Sequence, residues 1–594
     1  MLKDKFIMAD KLPVWSLTDF YDSIESEKIR TDLQKCSDEA LKLQQKYEGK
    51  IASLSANEAS NVIVCYEQII ILLGKISSHA DLCFAADTSN PEFAQHSQNM
   101  REAINAVQSN LVFIELELAS ISEVQYLQML KEEAFAHYQP WLRLLRLASK
   151  YNLEPRLEKL LVEQSPTNRQ AWVRLFDETF SELRFEFLGE QLTETEILNK
   201  LSKADPNVRA TAAASLSKVL NDNLRLFTLI TNTISKQKDT EERWRGYKGV
   251  ISSRNLANDV DDLTVDTLVE SVTNRMPELS HRYYKLKAGW LGGETMPWWD
   301  RNAPIAGNEG KKFSWQEACE IVQSSFDEFD AEMGELAKQF FDNSWIDAEI
   351  RTGKASGAFS HPSVTTVHPY ILMNFEGYSR DVMTLAHEMG HGVHQLLAAE
   401  QGELMSSTPL TLAETASVFS EMLTFHTILD AETSEQSKRL MLADKIEDML
   451  NTVVRQVAFH NFEYLVHTHR RQGELSSNEI SKFWVETQKQ ALGPGIRIDD
   501  SFKPIWAYVP HFVHSPFYVY AYAFGDCLVN ALWQVYQDGS DADFNIHYKT
   551  LLRSGGTVRF DQALIPFSLN PSEPEFWNKG LDMISIMIDK LEGL

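Results

Sequence analysis

The chain has 594 residues, 43% of them hydrophobic and 24% charged, the balance of an ordinary globular protein. Its 57 basic and 84 acidic residues leave a net charge of −27, which argues against nucleic acid or an anionic membrane as a main partner. The five cysteines (Cys36, Cys65, Cys83, Cys319 and Cys527) are odd in number, scattered and without a C-x-x-C pair, which fits a reducing compartment.

The first residues, Met1 to Asp10, hold no apolar run long enough for a signal peptide. The most apolar block, Ile69 to Gly74, is far short of a membrane span, so a cytoplasmic protein is expected. From Ser23 to Asp205 the pattern predicts helix after helix. Ile29, Leu33, Cys36, Ala40, Leu43 and Tyr47 recur at three- and four-residue spacings, and Ser55 to Glu58 has the form of a capping box. Polar residues from Leu192 onward, then Pro206, mark a boundary, and helix resumes near Val208. Gly289 to Pro304, rich in Gly, Pro and Trp, reads as an ordered loop. Thr365 to Phe375 is β-branched and aromatic, hence a strand, and Pro369 places it at a sheet edge. Such an edge could pair with an extended peptide; a small structural hairpin is the alternative.

The chemistry begins at His387-Glu388-Met389-Gly390-His391. On a helix, residues four apart share a face, so His387 and His391 can offer two imidazole nitrogens to one metal. Glu388 lies about 100° round the helix, beside that pair rather than in it. Two His ligands and a carboxylate that activates a metal-bound water suit a zinc hydrolase. Val382, Met383, Leu385 and Ala386 before the motif, and Val393, Leu396 and Leu397 after it, predict a buried helix. Gly390 and Gly392 disfavour helix by roughly 1 kcal/mol each, so the close approach of another segment or of a substrate is expected there.

Thr411 to Leu423 predicts a second apolar helix with Glu414, Ser417 and Glu421 on one stripe. Carboxylates on a buried stripe are costly unless they bind something. Glu414 is the expected third ligand, and Glu421 the carboxylate that orients a ligand histidine. From Trp506 to Gly525, His511, His514, Tyr518, Tyr520 and Tyr522 form a dense set of donors able to reach a developing oxyanion, although alternating tyrosines also suit a core.

Taken together, His387 to His394, Glu414 to Ser417 with Glu421, and Pro510 to Tyr520 resemble the thimet oligopeptidase family of zinc metallopeptidases, in particular its oligoendopeptidase F branch. Weaker echoes are Gly353 to Ala358 and Tyr283 to Ala288. The resemblance implies a mostly α fold: a large two-lobed helical body around a deep substrate channel, with a small β element near the zinc helix. It covers residues 206–594 as a catalytic domain, preceded by an N-terminal helical region over 1–205. It implies one Zn²⁺ per chain on His387, His391 and Glu414, with Glu388 as general base. It gives His511 a part in stabilising the tetrahedral intermediate, with Tyr518 or Tyr520 as its tyrosine partner, and leaves His514 without a counterpart. The same ligands accept Mn²⁺ or Co²⁺. Unstructured oligopeptides are the implied substrates. The alternatives are a helical zinc carboxypeptidase, which would need a cation for a free C-terminal carboxylate, and a non-catalytic peptide-binding scaffold, for which Glu388 would be superfluous.

Overall fold

Helix formation along the first 150 residues follows local rules. Helix Glu27–Tyr47 buries Ile29, Cys36, Ala40 and Leu43, one seam of its expected periodicity. Helix Ala56–Ala86 starts at the capping box: Ser55 Oγ accepts the Glu58 N–H, and the Glu58 carboxylate accepts the Ser55 N–H. The computed structural model describes residues 12–305 and 312–594, so the reading of Met1 to Asp10 lies outside the described residues. At 31 residues, helix Ala56–Ala86 is longer than its apolar block suggested, and by length and composition it could cross a membrane. Its buried side chains, among them Ile63, Leu73 and Ile76, belong to a hydrophobic core shared with neighbouring helices, which accounts for its composition.

Among the described residues the protein is mostly helical, with three small sheets. Strands β1 (Phe185–Phe187) and β2 (Glu190–Leu192) form an antiparallel hairpin across Leu188 and Gly189, both at positive φ. That hairpin lies in a stretch read from sequence as helix and polar boundary. Its Phe-Glu-Phe alternation ahead of a glycine turn was the available signal. β3 (Met296–Pro297) pairs in parallel with β7 (Ile496–Arg497). The third sheet holds β4 (Ile346–Asp347), β5 (Phe359–His361) and β6 (Tyr370–Leu372), in the order β4-β6-β5.

The third sheet corrects one expectation. The run after Pro369 is the central strand, not an edge, because Pro369 falls just before the first paired residue and removes no ladder hydrogen bond. An edge is instead formed by β5, from the segment upstream.

The described chain divides into two units, each built from three segments. Unit 1 comprises residues 1–150, 310–431 and 539–568, and unit 2 comprises 151–309, 432–538 and 569–594. Helix Pro206–Asp222, capped by Asp205 on the Asn207 N–H, lies within unit 2. In unit 1 the N-terminal helices grip the later segments. Thr88 N–H donates to the Gly353 carbonyl at 2.6 Å, His361 Nε2 lies 2.9 Å from Ser78 Oγ, and Glu67 accepts from both Tyr138 and the Leu404 N–H. Lys354, whose side chain is buried, donates to the carbonyls of Asp347, Glu349 and Met373 and pairs with the Asp347 carboxylate, fixing the turn that leads into β5.

Candidate active site

The motif helix, Ser379–Ala398, begins where the Asp381 carboxylate accepts the N–H groups of Glu376 and Tyr378, each at 2.9 Å. It buries Val382, Leu385, Ala386, Met389, Val393 and Leu397. The second helix, Thr415–Ala431, packs directly against it. A Cβ on Gly390 would stand 2.5 Å from the Ala416 carbonyl oxygen and 2.7 Å from Ser417 Cα; one on Gly392 would stand 2.4 Å from the Phe340 ring. The two glycines therefore let a second backbone and an aromatic ring reach the motif helix. The helix-propensity cost is offset by bringing Glu414 to the histidines.

Glu414 sits at the break between the short helix Leu410–Ala413 and Thr415–Ala431, so it extends the predicted stripe by one residue beyond the helix proper. Its Oε2 lies 3.4 Å from His387 Nε2 and 3.4 Å from His391 Nε2. Donor atoms held roughly 2.0–2.2 Å from a tetrahedral ion stand about 3.3–3.6 Å apart, so the residues present fit zinc. Among the described residues this is the one group of three His, Cys, Asp or Glu side chains able to converge on a metal, with all three ligand atoms within 4.8 Å of one another. On its far side, His387 Nδ1 lies 3.4 Å from Glu421 Oε2. Ser417 Oγ donates to Glu414 Oε2 at 2.8 Å and to its carbonyl at 3.1 Å. Ser417 was placed on the stripe from sequence without a task; it steadies the Glu414 carboxylate.

The electrostatics separate the carboxylates. Burial works against charge on Glu414, but His391 and His387, with the Ser417 hydroxyl, outweigh it and hold the acid down at about 2. Burial likewise opposes charge on His387, yet the hydrogen bond to Glu421 and the charges of Glu414 and Glu388 raise it to about 9. Without metal it therefore carries a proton at neutral pH, which a metal ion must displace. Glu388 goes the other way. Its side chain is buried, and burial lifts its pKa above the ordinary carboxylate value against the pull of His387 and His391. A Ser360 backbone hydrogen bond from β5 also reaches it. A carboxylate raised in this way, beside a metal-type donor set, has the character of a general base.

The remaining predicted site residues lie in unit 2. His511 starts the short helix His511–His514, and its Nε2 is 3.3 Å from the Tyr522 hydroxyl. The Tyr518 ring stacks beside His511 at 6.4 Å between centroids and meets Tyr522 edge-on at 5.2 Å. Burial, then the charges of Arg455 and His514, lower the His511 pKa. Tyr520 is not in this group. It is fully buried, its hydroxyl accepts from Asn258 Nδ2 at 2.8 Å, and burial raises its pKa. As the first residue of helix Tyr520–Asp538 it points into the core, whereas Tyr522, unassigned from sequence, is the tyrosine beside His511. His514 faces another way: its Nε2 lies 2.6 Å from Asp177 Oδ1, and its ring packs edge-on against Phe176.

An H-E-x-x-H helix joined to a glutamate from a neighbouring helix, within a mostly helical chain, defines the class as helical metallopeptidase. The model of peptidase family M3 matches residues 200–583, and that of the oligopeptidase F N-terminal region matches residues 117–185. The chain belongs to peptidase family M3, as the resemblance to the oligoendopeptidase F branch implied. Oligopeptidase PepF of Bacillus subtilis is 25% identical over 590 residues, spanning 98% of this chain and 87% of its own. An oligoendopeptidase F homologue of Borreliella burgdorferi is 28% identical over 69% of each chain. Among solved structures, a chain from Chlamydophila abortus superposes with TM-score 0.87 at 22% identity over 98% of both chains. Oligoendopeptidase-F from Enterococcus faecium does so with TM-score 0.72 at 20% identity, over 96% of this chain and 98% of its own. Family and fold together make this a metallopeptidase that hydrolyses oligopeptides.

Proposed function

We propose that the protein is a cytoplasmic zinc endopeptidase for short unstructured oligopeptides, with one zinc ion on His387, His391 and Glu414. The observation that carries the reading is the convergence of both histidine Nε2 atoms on one Glu414 oxygen, with buried Glu388 alongside. When bound, zinc supplies Lewis acidity, which acidifies a water and polarises the scissile carbonyl. Glu388 takes the proton of the attacking water at its carboxylate and delivers it to the leaving amine. Glu421 holds His387 through Nδ1, keeping Nε2 as the ligand nitrogen. Ser417 fixes the rotamer of Glu414. His511, with Tyr518 or Tyr522, donates to the oxyanion, a role that rests on the family resemblance and on the cluster these three side chains form.

The test is hydrolysis of an internally quenched peptide with both ends blocked, by wild type and Glu388→Ala, with metal content measured on each. Internal cleavage that falls by roughly 10²–10⁴ in the variant while zinc stays bound is the expected result. Activity surviving in Glu388→Ala would sink the mechanism. Trimming that requires a free C-terminus would replace the endopeptidase by a carboxypeptidase.

A further inference from the structure

Unit 2 contains a cavity of about 220 Å³ whose wall is rich in hydrogen-bond donors. Arg301 and Arg455 both line it. Among the described residues neither guanidinium has a carboxylate within ion-pair distance. Arg301 Nε reaches only the Asn302 side-chain oxygen at 3.2 Å, and Arg455 donates to the Tyr508 hydroxyl at 2.9 Å and lies over the Phe459 ring. The neighbouring acid, Glu447, is committed elsewhere, at 2.6 Å from both Lys287 Nζ and the Tyr283 hydroxyl. Burial, then the charge of Arg455, lower the Arg301 pKa, against a smaller opposing pull from Tyr284, Tyr508 and Glu447.

Three further donors on the lining residues have no acceptor among the described residues: Arg455 Nε, Trp484 Nε1 and Gln488 Nε2. Trp484 and Gln488 are almost fully buried, at 2% and 1% exposed. Buried donors left unpaired are costly, although these three atoms are closed off from the cavity surface, so the charge on its wall rests with the two arginines. The site is also built rigidly. Lys287 Nζ donates to the Arg301 carbonyl at 2.7 Å, and the preceding residue, Asp300, pairs with buried Arg209 at 2.7 Å. Trp299 and Phe502 add aromatic wall. A cavity of 150 Å³ accepts benzene, so this one has room for an aromatic or aliphatic body with a carboxylate attached.

We propose that this cavity is a carboxylate-binding subsite in which Arg301 and Arg455 hold the anion and the aromatic wall holds an apolar body. Tyr508, which anchors Arg455, lies three residues before His511 in the chain, so the subsite adjoins the segment that carries the predicted oxyanion donors. The carboxylate has two possible sources, the free C-terminus of an oligopeptide or a free acid the size of one amino acid. The peptide source rests on the peptidase reading above; the ligand class does not.

The experiment is calorimetric titration of the full-length protein with N-acetyl-L-phenylalanine and with its amide, followed by Arg455→Gln and Arg301→Gln. Binding of the acid at least about tenfold tighter than the amide, with the preference lost in either variant, is the expected result. Equal binding of acid and amide, no binding of either, or a preference that survives both substitutions would overturn the proposal. Arg455→Lys, which keeps the charge, should retain part of the preference, separating a charge effect from misfolding. The source is read from KM for one oligopeptide as free acid and as amide. A lower KM for the acid, abolished in Arg455→Gln, supports the peptide C-terminus. Equal KM values, with N-acetyl-L-phenylalanine still bound, support a free acid. Acid-selective binding by a protein that cleaves no peptide would leave the subsite standing and remove the peptidase reading instead.

Discussion

His387 and His391 owe their geometry to a continuous helix whose neighbour comes so close that no Cβ fits at Gly390. His511 stands on a four-residue helix, followed by a turn in which Phe517 adopts φ +60. Polar and charged side chains elsewhere in unit 2 hold that turn. Glu463 accepts the Phe517 N–H at 2.9 Å, Arg254 donates to the Pro516 carbonyl at 3.3 Å, and Arg169 donates to the carbonyls of Val513 and His514. A left-handed backbone at a bulky residue costs on the order of 1–3 kcal/mol and persists only when its surroundings impose it. One set of side chains is therefore fixed by packing of regular structure, the other by hydrogen bonds to an irregular segment. Substitutions should fail differently in the two places.

Of the substitutions that compare the two places, His511 is expected to show the largest effect. His511→Phe should lower kcat by roughly 10²–10³ with metal content and thermal midpoint near wild type, because a donor is lost and the donor set is untouched. Loss of metal in that variant would contradict the separation drawn here. Glu421→Gln should cost roughly 10–100-fold in metal affinity or activity, read by competition with a chelator, since His387 loses the carboxylate behind Nδ1. Gly390→Ala should destabilise by about 1–3 kcal/mol despite its better helix propensity, because its Cβ meets backbone, which cannot swing aside. Its metal affinity should fall with its thermal midpoint. A variant that is stabilised and keeps its metal would show that the two helices have room to part.

The same contrast explains what could be read from sequence. His387, Glu388 and His391 were legible because a 3.6-residue period converts spacing directly into a shared face. Glu414 and Glu421 were legible because carboxylates among apolar residues stand out against a helical stripe. Tyr518 and Tyr520 stayed alternatives in sequence, and Tyr522 was given no role, because orientation there depends on where helix Tyr520–Asp538 begins and on the turn at Phe517, neither of which is periodic. The position of β6 was misjudged because strand order is set by partners far along the chain, β4 and β5, and Pro369 lies just outside the paired residues. Arg301 and Arg455, held by Lys287 and Tyr508, come together only through such distant contacts.

The most specific effect concerns Glu463 beneath the Phe517 turn. It is 2% exposed; one oxygen takes the Phe517 N–H, and Oε2 finds no partner among the described residues. Burial raises its pKa to about 8, against the opposing pull of the Phe517 N–H, Lys238 and Arg254. In the unfolded chain the same carboxyl ionises near about 4.3. Between those values the folded state holds a proton that the unfolded state has released. Its contribution is therefore greatest below the unfolded pKa and is lost as pH rises toward 8. Two buried histidines nearby, His460 and His467, are lowered by burial to about 4 and about 3, and give the opposite slope below the ordinary histidine pKa. The informative quantity is thus the difference between wild type and Glu463→Gln, whose amide oxygen can still accept the Phe517 N–H. Urea midpoints measured from about pH 5 to pH 8 should fall for wild type relative to the variant, and the two curves should diverge steadily with pH. Parallel curves would mean that Glu463 is ionised throughout and that a charged carboxylate, rather than a neutral one, holds the turn.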